Sequence, residues 1–244
     1  MSLKLRSLLF YLGLVPLTVI FSFVGISILP LPRKLRYIAI TKWSRITIWW
    51  LKATCSLDFK VEGLENLPPR PGVILCKHQS AWETIALQLI FPMQSQVVKK
   101  ELLLVPFFGW GLACLNPIAI NRKTGLKALK AVLLAGSARI NSGWWVLIFP
   151  EGTRVKPGHK GRYTQTGTAL ALKNTCPLVP VAHNAGFFWG KNQFTKKPGT
   201  IKVVVGKPLN LNGKSTKELT QEAEKWIEET CKSINLEITQ INSR

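Results

Sequence analysis

A histidine and a glutamate five positions apart are the first residues of this chain whose types and spacing suggest chemistry. His78 follows the apolar run Val73–Cys76, and Ser80 with Glu83 three residues later matches a capping box at the start of a helix. The box draws the Glu83 carboxylate back toward the loop that carries His78. A carboxylate beside an imidazole orients the ring and stabilises its protonated form. His78 and Glu83 are therefore predicted as a catalytic pair, although a plain helix cap accounts for the same residues.

Two further segments place glycine and cations directly after apolar runs. The segment Phe149–Arg154 reads Phe-Pro-Glu-Gly-Thr-Arg. Here Gly152 permits close approach of the backbone and Arg154 offers a bidentate fork to phosphate, although Pro-Glu-Gly is also a common turn. Lys99 and Arg122 flank the other segment, and their charges are either phosphate ligands or ordinary solvated surface. Taken alone, a plain turn and solvated surface charges are the safer interpretations of these two segments.

Acidic residues are scarce in this chain, which limits the available catalytic devices. The 244 residues include 33 Lys and Arg against 12 Asp and Glu, for a formal net charge of +21, and Asp58 is the only aspartate. A hydrophobic share of 47% excludes a disordered basic tail. Such a charge attracts phosphate on nucleic acid, on lipid headgroups or on an acidic carrier protein.

The N-terminal part combines cations with a long apolar stretch. Arg6 and Arg33 are separated by 26 residues without charge, and about 20 apolar residues suffice to cross a bilayer as a helix. A glycine and a proline interrupt the stretch, so a helix that enters and returns is an alternative to one that spans. Residues 37–52 mix Trp and Ile with cations, which is typical of a helix at the headgroup level. We expect residues 1–56 to anchor the chain to a membrane, because the stretch is longer than a signal peptide or a core helix needs.

Residues 57–244 are expected to form the catalytic domain, and they show the alternation of an α/β fold. Continuous Val and Ile runs predict strands that are covered on both faces, with helices packed on the sheet. The predicted strands are Leu57–Val61, Val73–Cys76, Pro117–Ile120, Trp145–Phe149, Leu178–Ala182 and Ile201–Val205, and the predicted helices cover residues 124–140 and 167–174. In such sheets ligands lie beyond the carboxyl ends of the strands, where His78 and Gly152 stand.

The cysteines predict neither disulfides nor a metal site. They are odd in number, contain no C-x-x-C pair and fit a reducing compartment. They are Cys55, Cys76, Cys114, Cys176 and Cys231. A covalent route through Cys76 beside His78 is an alternative, but a buried strand cysteine is the simpler interpretation.

Together these segments resemble the glycerophospholipid acyltransferase family, most closely the bacterial 1-acyl-sn-glycerol-3-phosphate acyltransferases. The family's first motif is His, four residues, then Asp, and His78 and Glu83 occupy these positions. The second motif is similar to residues 99–122, the third to Phe149–Arg154 and the fourth to Val179–Ala182. The four segments occur in the family's order.

The resemblance implies a mixed sheet flanked by helices, as in glycerol-3-phosphate acyltransferase, behind an N-terminal apolar helical membrane anchor. It also implies transfer of a fatty acyl group from a thioester to the sn-2 hydroxyl of 1-acyl-glycerol-3-phosphate, which gives phosphatidic acid for phospholipid synthesis. By resemblance, the substrate-binding residues are Lys99, Arg122, Glu151, Gly152, Thr153 and Arg154.

The same resemblance sets the expected partners and location. We expect no bound cofactor and no nucleic acid, with acyl-ACP or acyl-CoA as co-substrate. The expected partners are membrane phospholipids, lysophosphatidate and the donor, acyl carrier protein or acyl-CoA. The expected location is the bacterial inner membrane, with the catalytic domain on the cytoplasmic face.

Two positions depart from the family's pattern. Glu83 stands where the family has Asp; it keeps the carboxylate on an arm longer by one methylene, and we expect activity to survive. The family's Lys two residues before a glycine is absent, because Gln165 and Thr166 precede Gly167. The alternatives are an acyltransferase for another lysolipid, such as a lysophospholipid or lyso-ornithine lipid, and a non-enzymatic membrane-anchored protein that binds anionic lipid.

Overall fold

The computed structural model describes the backbone of residues 1–242 and the side chains of residues 1–236. Two helices, α1 (Leu3–Ser27) and α2 (Arg33–Cys55), precede an α/β body. The strands are β1 (Leu57–Glu62), β2 (Val73–Cys76), β3 (Gln94–Lys99), β4 (Ile118–Ile120), β5 (Trp145–Ile148), β6 (Leu178–His183) and β7 (Gly199–Val205). The body's helices are α3 (Trp82–Ile90), α4 (Phe108–Cys114), α5 (Leu126–Asn141), α6 (Thr166–Asn174), α7 (Ala185–Phe188) and α8 (Thr216–Asn242).

The strands form one mixed sheet, whose order in the described part of the chain is β1-β7-β6-β2-β5-β3-β4. Strand β2 pairs in parallel with β5 and β6, and β5 pairs in parallel with β3, whereas β6 and β7 are antiparallel. The predicted mixed sheet flanked by helices is therefore confirmed. Because β2, β5 and β3 are parallel neighbours, their carboxyl ends bring His78, Glu151 and Lys99 to the same edge.

Both faces of the sheet are covered, as the continuous apolar runs predict. Within β5, Leu147 joins the core that contains Trp82 of α3, whereas the adjacent Val146 joins the core on the opposite face. That second core includes Leu170 of α6 and Ile227 of α8. Alternate residues of one strand are thus buried under different helices.

Strand β3 and helix α4 (Phe108–Cys114) were not among the predicted elements. The strand begins with polar residues, yet Gln94 and Ser95 are fully buried. Their side chains donate hydrogen bonds to the carbonyl oxygens of Leu87 and Asn116, respectively. Tertiary partners therefore allow a buried strand where a polar sequence indicates a loop.

Helix α1 continues through the glycine and the proline that were expected to interrupt it. By length and composition it could cross a membrane, and most of its side chains are not buried. At Gly13 a Cβ would lie 2.2 Å from Nε1 of Trp50, so the glycine lets the α2 indole pack against α1. Ser22 of α1 donates to the carbonyl of Phe107, which joins this helix to the start of α4.

Helix α2 packs one face inward and turns another outward. Its Tyr37 and Leu51 are buried, whereas Ile38 and Trp49 are exposed. The apolar surface of α1 and the outward face of α2 indicate association with a membrane. The division of the chain into an anchor of residues 1–56 and a catalytic domain from residue 57 stays a prediction.

Candidate active site

The predicted contact between the histidine and the glutamate is present. His78 lies in the loop after β2, and its Nδ1 is 2.8 Å from Oε1 of Glu83 in the first turn of α3. The same Oε1 accepts the backbone N–H groups of Gln79 and Ser80 at 2.8 and 2.7 Å. Ser80 Oγ in turn accepts the N–H of Trp82. Only half of the predicted capping box is therefore present: Glu83 accepts the Ser80 N–H, but α3 begins at Trp82 with Ala81, not Ser80, at its N-cap position.

Glu83 is fully buried but has the partners that an ionised carboxylate needs. Burial opposes its ionisation, yet His183, His78 and the Ser80 N–H together hold its pKa below the usual value. A carboxylate accepts hydrogen bonds only, so the His78 nitrogen that faces it carries the proton. The other ring nitrogen, Nε2, is then free to act as a base.

The main chain of His78 is held by the loop that follows β5. Its N–H donates to Oε2 of Glu151 at 3.0 Å, and its carbonyl accepts the N–H of Val155 at 2.8 Å. Phe149 stacks on the imidazole with ring centroids 4.1 Å apart. Ring, N–H and carbonyl of His78 therefore each have a fixed neighbour.

An apolar cavity of about 130 Å³ lies in front of His78. Its wall includes His78, Phe149, Lys99 and Arg122. It also includes residues of α1, α2 and α4, such as Phe21, Ile40, Phe108 and Leu112. The cavity joins the basic nitrogen, two cations and an apolar space between the N-terminal helices. This combination suits a substrate with an anionic head and an apolar chain.

Of the predicted cations, Lys99 and Arg122 line the cavity, whereas Arg154 does not. Lys99 ends β3 and is exposed, whereas Arg122 and Arg154 are half-buried. None of these three forms an ion pair with a described carboxylate, so their charge is available to a ligand. Gly152 has φ +65°, and a Cβ there would lie 3.9 Å from Nη1 of Arg122. Thr153 next to it is exposed.

Glu151, which the resemblance places among the substrate-binding residues, faces the protein interior. It is buried, and its Oε1 accepts the Lys77 ammonium at 2.8 Å and the Gly161 N–H at 3.1 Å. Its Oε2 accepts the His78 N–H. The carboxylate is therefore fully used inside the protein.

Two residues near the site were missed by the sequence reasoning. Lys77 is buried beside Glu151, and His183 at the end of β6 donates from Nε2 to the Lys77 carbonyl at 2.8 Å. The position of Lys77 after a buried strand and before His78 was a usable signal. The local sequence around His183 gave none, because its partners come from distant segments.

Two other residues that could do chemistry, Cys76 and His159, do not line the cavity. Cys76 is fully buried, and burial raises the pKa of its thiol well above the usual value, which disfavours a thiolate nucleophile. His159 is exposed in a loop. Within residues 1–236, no group of three or more His, Cys, Asp or Glu residues could hold a metal ion.

The sheet, the His-carboxylate pair and the apolar cavity with its two cations are the features expected of an acyltransferase. The family model described as Acyltransferase matches residues 58–184, and the chain belongs to this family. A 1-acyl-sn-glycerol-3-phosphate acyltransferase from Pseudomonas aeruginosa is 44% identical over 236 residues, covering 95% of this chain and 92% of the relative. The enzyme of the same name from Saccharomyces cerevisiae is 29% identical, and the aligned region covers 72% of this chain and 62% of the yeast protein.

The fold also has a counterpart among solved structures. The crystal structure of the 1-acyl-sn-glycerophosphate (LPA) acyltransferase PlsC from Thermotoga maritima matches with a TM-score of 0.78 over 95% of each chain. The two sequences are 22% identical, so this similarity concerns the fold. The match includes most of the N-terminal helical part, since only 5% of the chain lies outside it.

Proposed function

We propose that this chain transfers a fatty acyl group from a thioester to the sn-2 hydroxyl of 1-acyl-glycerol-3-phosphate and so forms phosphatidic acid. The proposal rests on the 2.8 Å contact between His78 Nδ1 and Glu83 Oε1, beside a cavity that is lined by two cations and by apolar residues of α1, α2 and α4. The names of the Pseudomonas and yeast relatives support the substrate.

In the proposed mechanism, Nε2 of His78 removes the proton from the acceptor hydroxyl as its oxygen attacks the thioester carbonyl carbon. The new C–O bond forms a tetrahedral intermediate, and the C–S bond then breaks. The departing thiolate takes the proton back from His78, so the base is regenerated. Glu83 keeps the Nδ1 proton in place and stabilises the transient imidazolium. No acyl-enzyme is required.

The two cations that line the cavity suit the acceptor phosphate. Lys99 and Arg122 line the same cavity as His78, so a phosphate bound there leaves its glycerol hydroxyl beside the base. Gly152 provides room next to Arg122, and the exposed Thr153 with the half-buried Arg154 extends the polar side. We assign substrate binding to these five residues and a positioning role to Glu151.

The apolar wall indicates where the lipid enters. The cavity lies between α1, α2 and α4, and the exposed apolar side chains of α1 favour a position at the bilayer surface. A lysolipid can then reach His78 without leaving the membrane. Five buried cysteines that form no disulfide fit the cytoplasmic face of a bacterial inner membrane. The donor in this proposal is acyl-ACP or acyl-CoA.

Product analysis tests the proposal. Membranes that contain the wild-type protein would receive lysophosphatidate, lysophosphatidylcholine or a lyso-ornithine lipid, each with labelled acyl-CoA and with labelled acyl-ACP. We expect labelled phosphatidic acid from lysophosphatidate with at least one donor. Preferential acylation of another lysolipid would show that lysophosphatidate is not the acceptor. The absence of transfer to any of the three lysolipids would contradict the proposal.

A further inference from the structure

The residue before the proposed base carries a charge in the protein interior. The Lys77 side chain is 1% exposed, and its ammonium contacts Oε1 of Glu151 at 2.8 Å and Oε1 of Glu228 at 2.6 Å. Its third hydrogen bond goes to the carbonyl of His159 at 3.2 Å. All three ammonium protons therefore have acceptors. Burial opposes the charge, but the two carboxylates raise the pKa of Lys77 above its usual value.

One partner of Lys77 touches His78 directly. Glu151 uses one oxygen for the Lys77 ammonium and the other, Oε2, for the His78 N–H at 3.0 Å. The Lys77 main chain is also fixed, because its N–H donates to Val181 and its carbonyl accepts His183 Nε2–H. The ammonium is thus one carboxylate away from the backbone of the proposed base.

The other partner belongs to the C-terminal helix. Glu228 of α8 accepts the ammonium of Lys77 and the hydroxyl of Tyr163, the latter at 2.8 Å. The side chain of Glu228 remains 23% exposed, whereas that of Glu151 is 0% exposed. Glu228 can therefore be hydrated if the lysine is lost, but Glu151 cannot. Loss of Lys77 leaves Glu151 as the buried charge without a counterion.

We propose that Lys77 is a positioning residue for the acyl transfer, which acts through Glu151. Its ammonium fixes the Glu151 carboxylate in the orientation in which Oε2 accepts the His78 N–H. Glu83 then fixes the orientation of the His78 ring, and the Lys77–Glu151 pair fixes the position of the His78 main chain at the end of β2. The inference rests on the proposed function, since it requires His78 to be the base. In this proposal Glu228 holds the Lys77 side chain in place and does not act on His78.

The test compares two variants that disturb the same cluster. In Lys77→Met the apolar side chain fills the space but frees Glu151, whereas Glu228→Gln keeps the Lys77–Glu151 pair. The full-length protein in phospholipid vesicles would be assayed for kcat and for the KM of lysophosphatidate, with thermal unfolding measured on the same samples. A displaced base of this kind costs roughly 10²-fold in rate.

We expect kcat per folded molecule to fall about 10²-fold in Lys77→Met, with a nearly unchanged KM, and to stay within about threefold of wild type in Glu228→Gln. If the two variants instead lose kcat in proportion to their loss of thermal stability, the cluster is only structural and the inference is wrong. If Lys77→Met does not fold, Glu151→Gln replaces it. That variant should lower kcat at unchanged KM, whereas a higher KM alone would mean that Glu151 binds substrate.

A parallel sample separates this inference from the proposed function. If the wild type transfers no acyl group to lysophosphatidate, or if His78→Ala transfers it normally, the function itself fails. If both behave as proposed but Lys77→Met retains wild-type kcat, only the role of Lys77 fails.

Discussion

Oε2 of Glu83 lies 4.0 Å from Nε2 of His183, and both side chains are fully buried. The other oxygen of Glu83 takes the contacts from His78 and the loop, whereas Oε2 has no hydrogen-bond partner among the described residues. The carboxylate therefore stands between two imidazoles. His183 does not donate a hydrogen bond to Oε2 of Glu83, because its Nε2–H is directed to the Lys77 carbonyl.

This arrangement predicts a pH-dependent stability. Burial lowers the pKa of His183 below its usual 6.5, against the opposing effect of Glu83. As the pH falls, His183 is protonated in the unfolded chain before it is protonated in the folded protein. The contribution of neutral His183 to the free energy of unfolding is therefore complete above pH 6.5 and is lost as the pH falls toward the lower pKa of the folded protein. Between pH 7 and 5 the unfolding temperature should fall less in His183→Gln than in wild type. An equal slope in thermal unfolding would show that His183 does not titrate with unfolding.

Glu83 should not tolerate shortening to the family's aspartate. Its Oε1 reaches His78 Nδ1 and two backbone N–H groups within 2.8 Å, and removal of a methylene withdraws the carboxylate from all three. We expect Glu83→Asp to lower kcat about tenfold or more, and Glu83→Gln by roughly 10² to 10⁴. A Glu83→Asp enzyme as fast as wild type in steady-state assays would show that the loop follows the shorter arm.

Arg122 should matter for the acceptor, whereas its neighbour should not. Both Arg122 and Lys123 lie on the same turn after β4, but Lys123 is exposed and absent from the cavity wall. Loss of a charge-assisted hydrogen bond to phosphate costs about 1.5–3 kcal/mol, or roughly 10- to 100-fold. The KM for lysophosphatidate should rise by that factor in Arg122→Gln and by less than about threefold in Lys123→Gln. Equal effects of the two variants would indicate a diffuse electrostatic attraction.

The covalent route through Cys76 predicts a different result from the direct route. Cys76 is fully buried and its thiol is held neutral by burial. We therefore expect Cys76→Ala to keep kcat within about threefold of wild type, since only packing is lost. A thiol reagent should not inactivate the wild type through this residue. Complete loss of transfer in a folded Cys76→Ala protein would revive the acyl-enzyme.

Much of the fold follows from local pattern, and the exceptions have a physical cause. Strands β2, β5 and β6 are predictable because both faces are apolar. Strand β3 is not, because Gln96 and the polar residues before it are satisfied by backbone oxygens elsewhere, such as that of Thr84. No local sequence rule supplies those partners.

The site divides in the same way. His78 and Glu83 are five residues apart, and the Ser80-x-x-Glu83 spacing that draws the carboxylate back to the loop can be read from the sequence. Lys77 and Glu228 are 151 residues apart, so only the packing of α8 on the sheet brings them together. The interior position of Glu151 likewise depends on a strand neighbour rather than on its own motif.

The most direct test of the central claim is the rate of acyl transfer to lysophosphatidate by His78→Ala. The matched control is His159→Ala, since His159 is an exposed loop residue outside the cavity. With equal amounts of folded, membrane-bound protein, we expect His78→Ala to lose roughly 10² to 10⁴ of kcat and His159→Ala to match wild type. Transfer by His78→Ala at the wild-type rate would contradict the account.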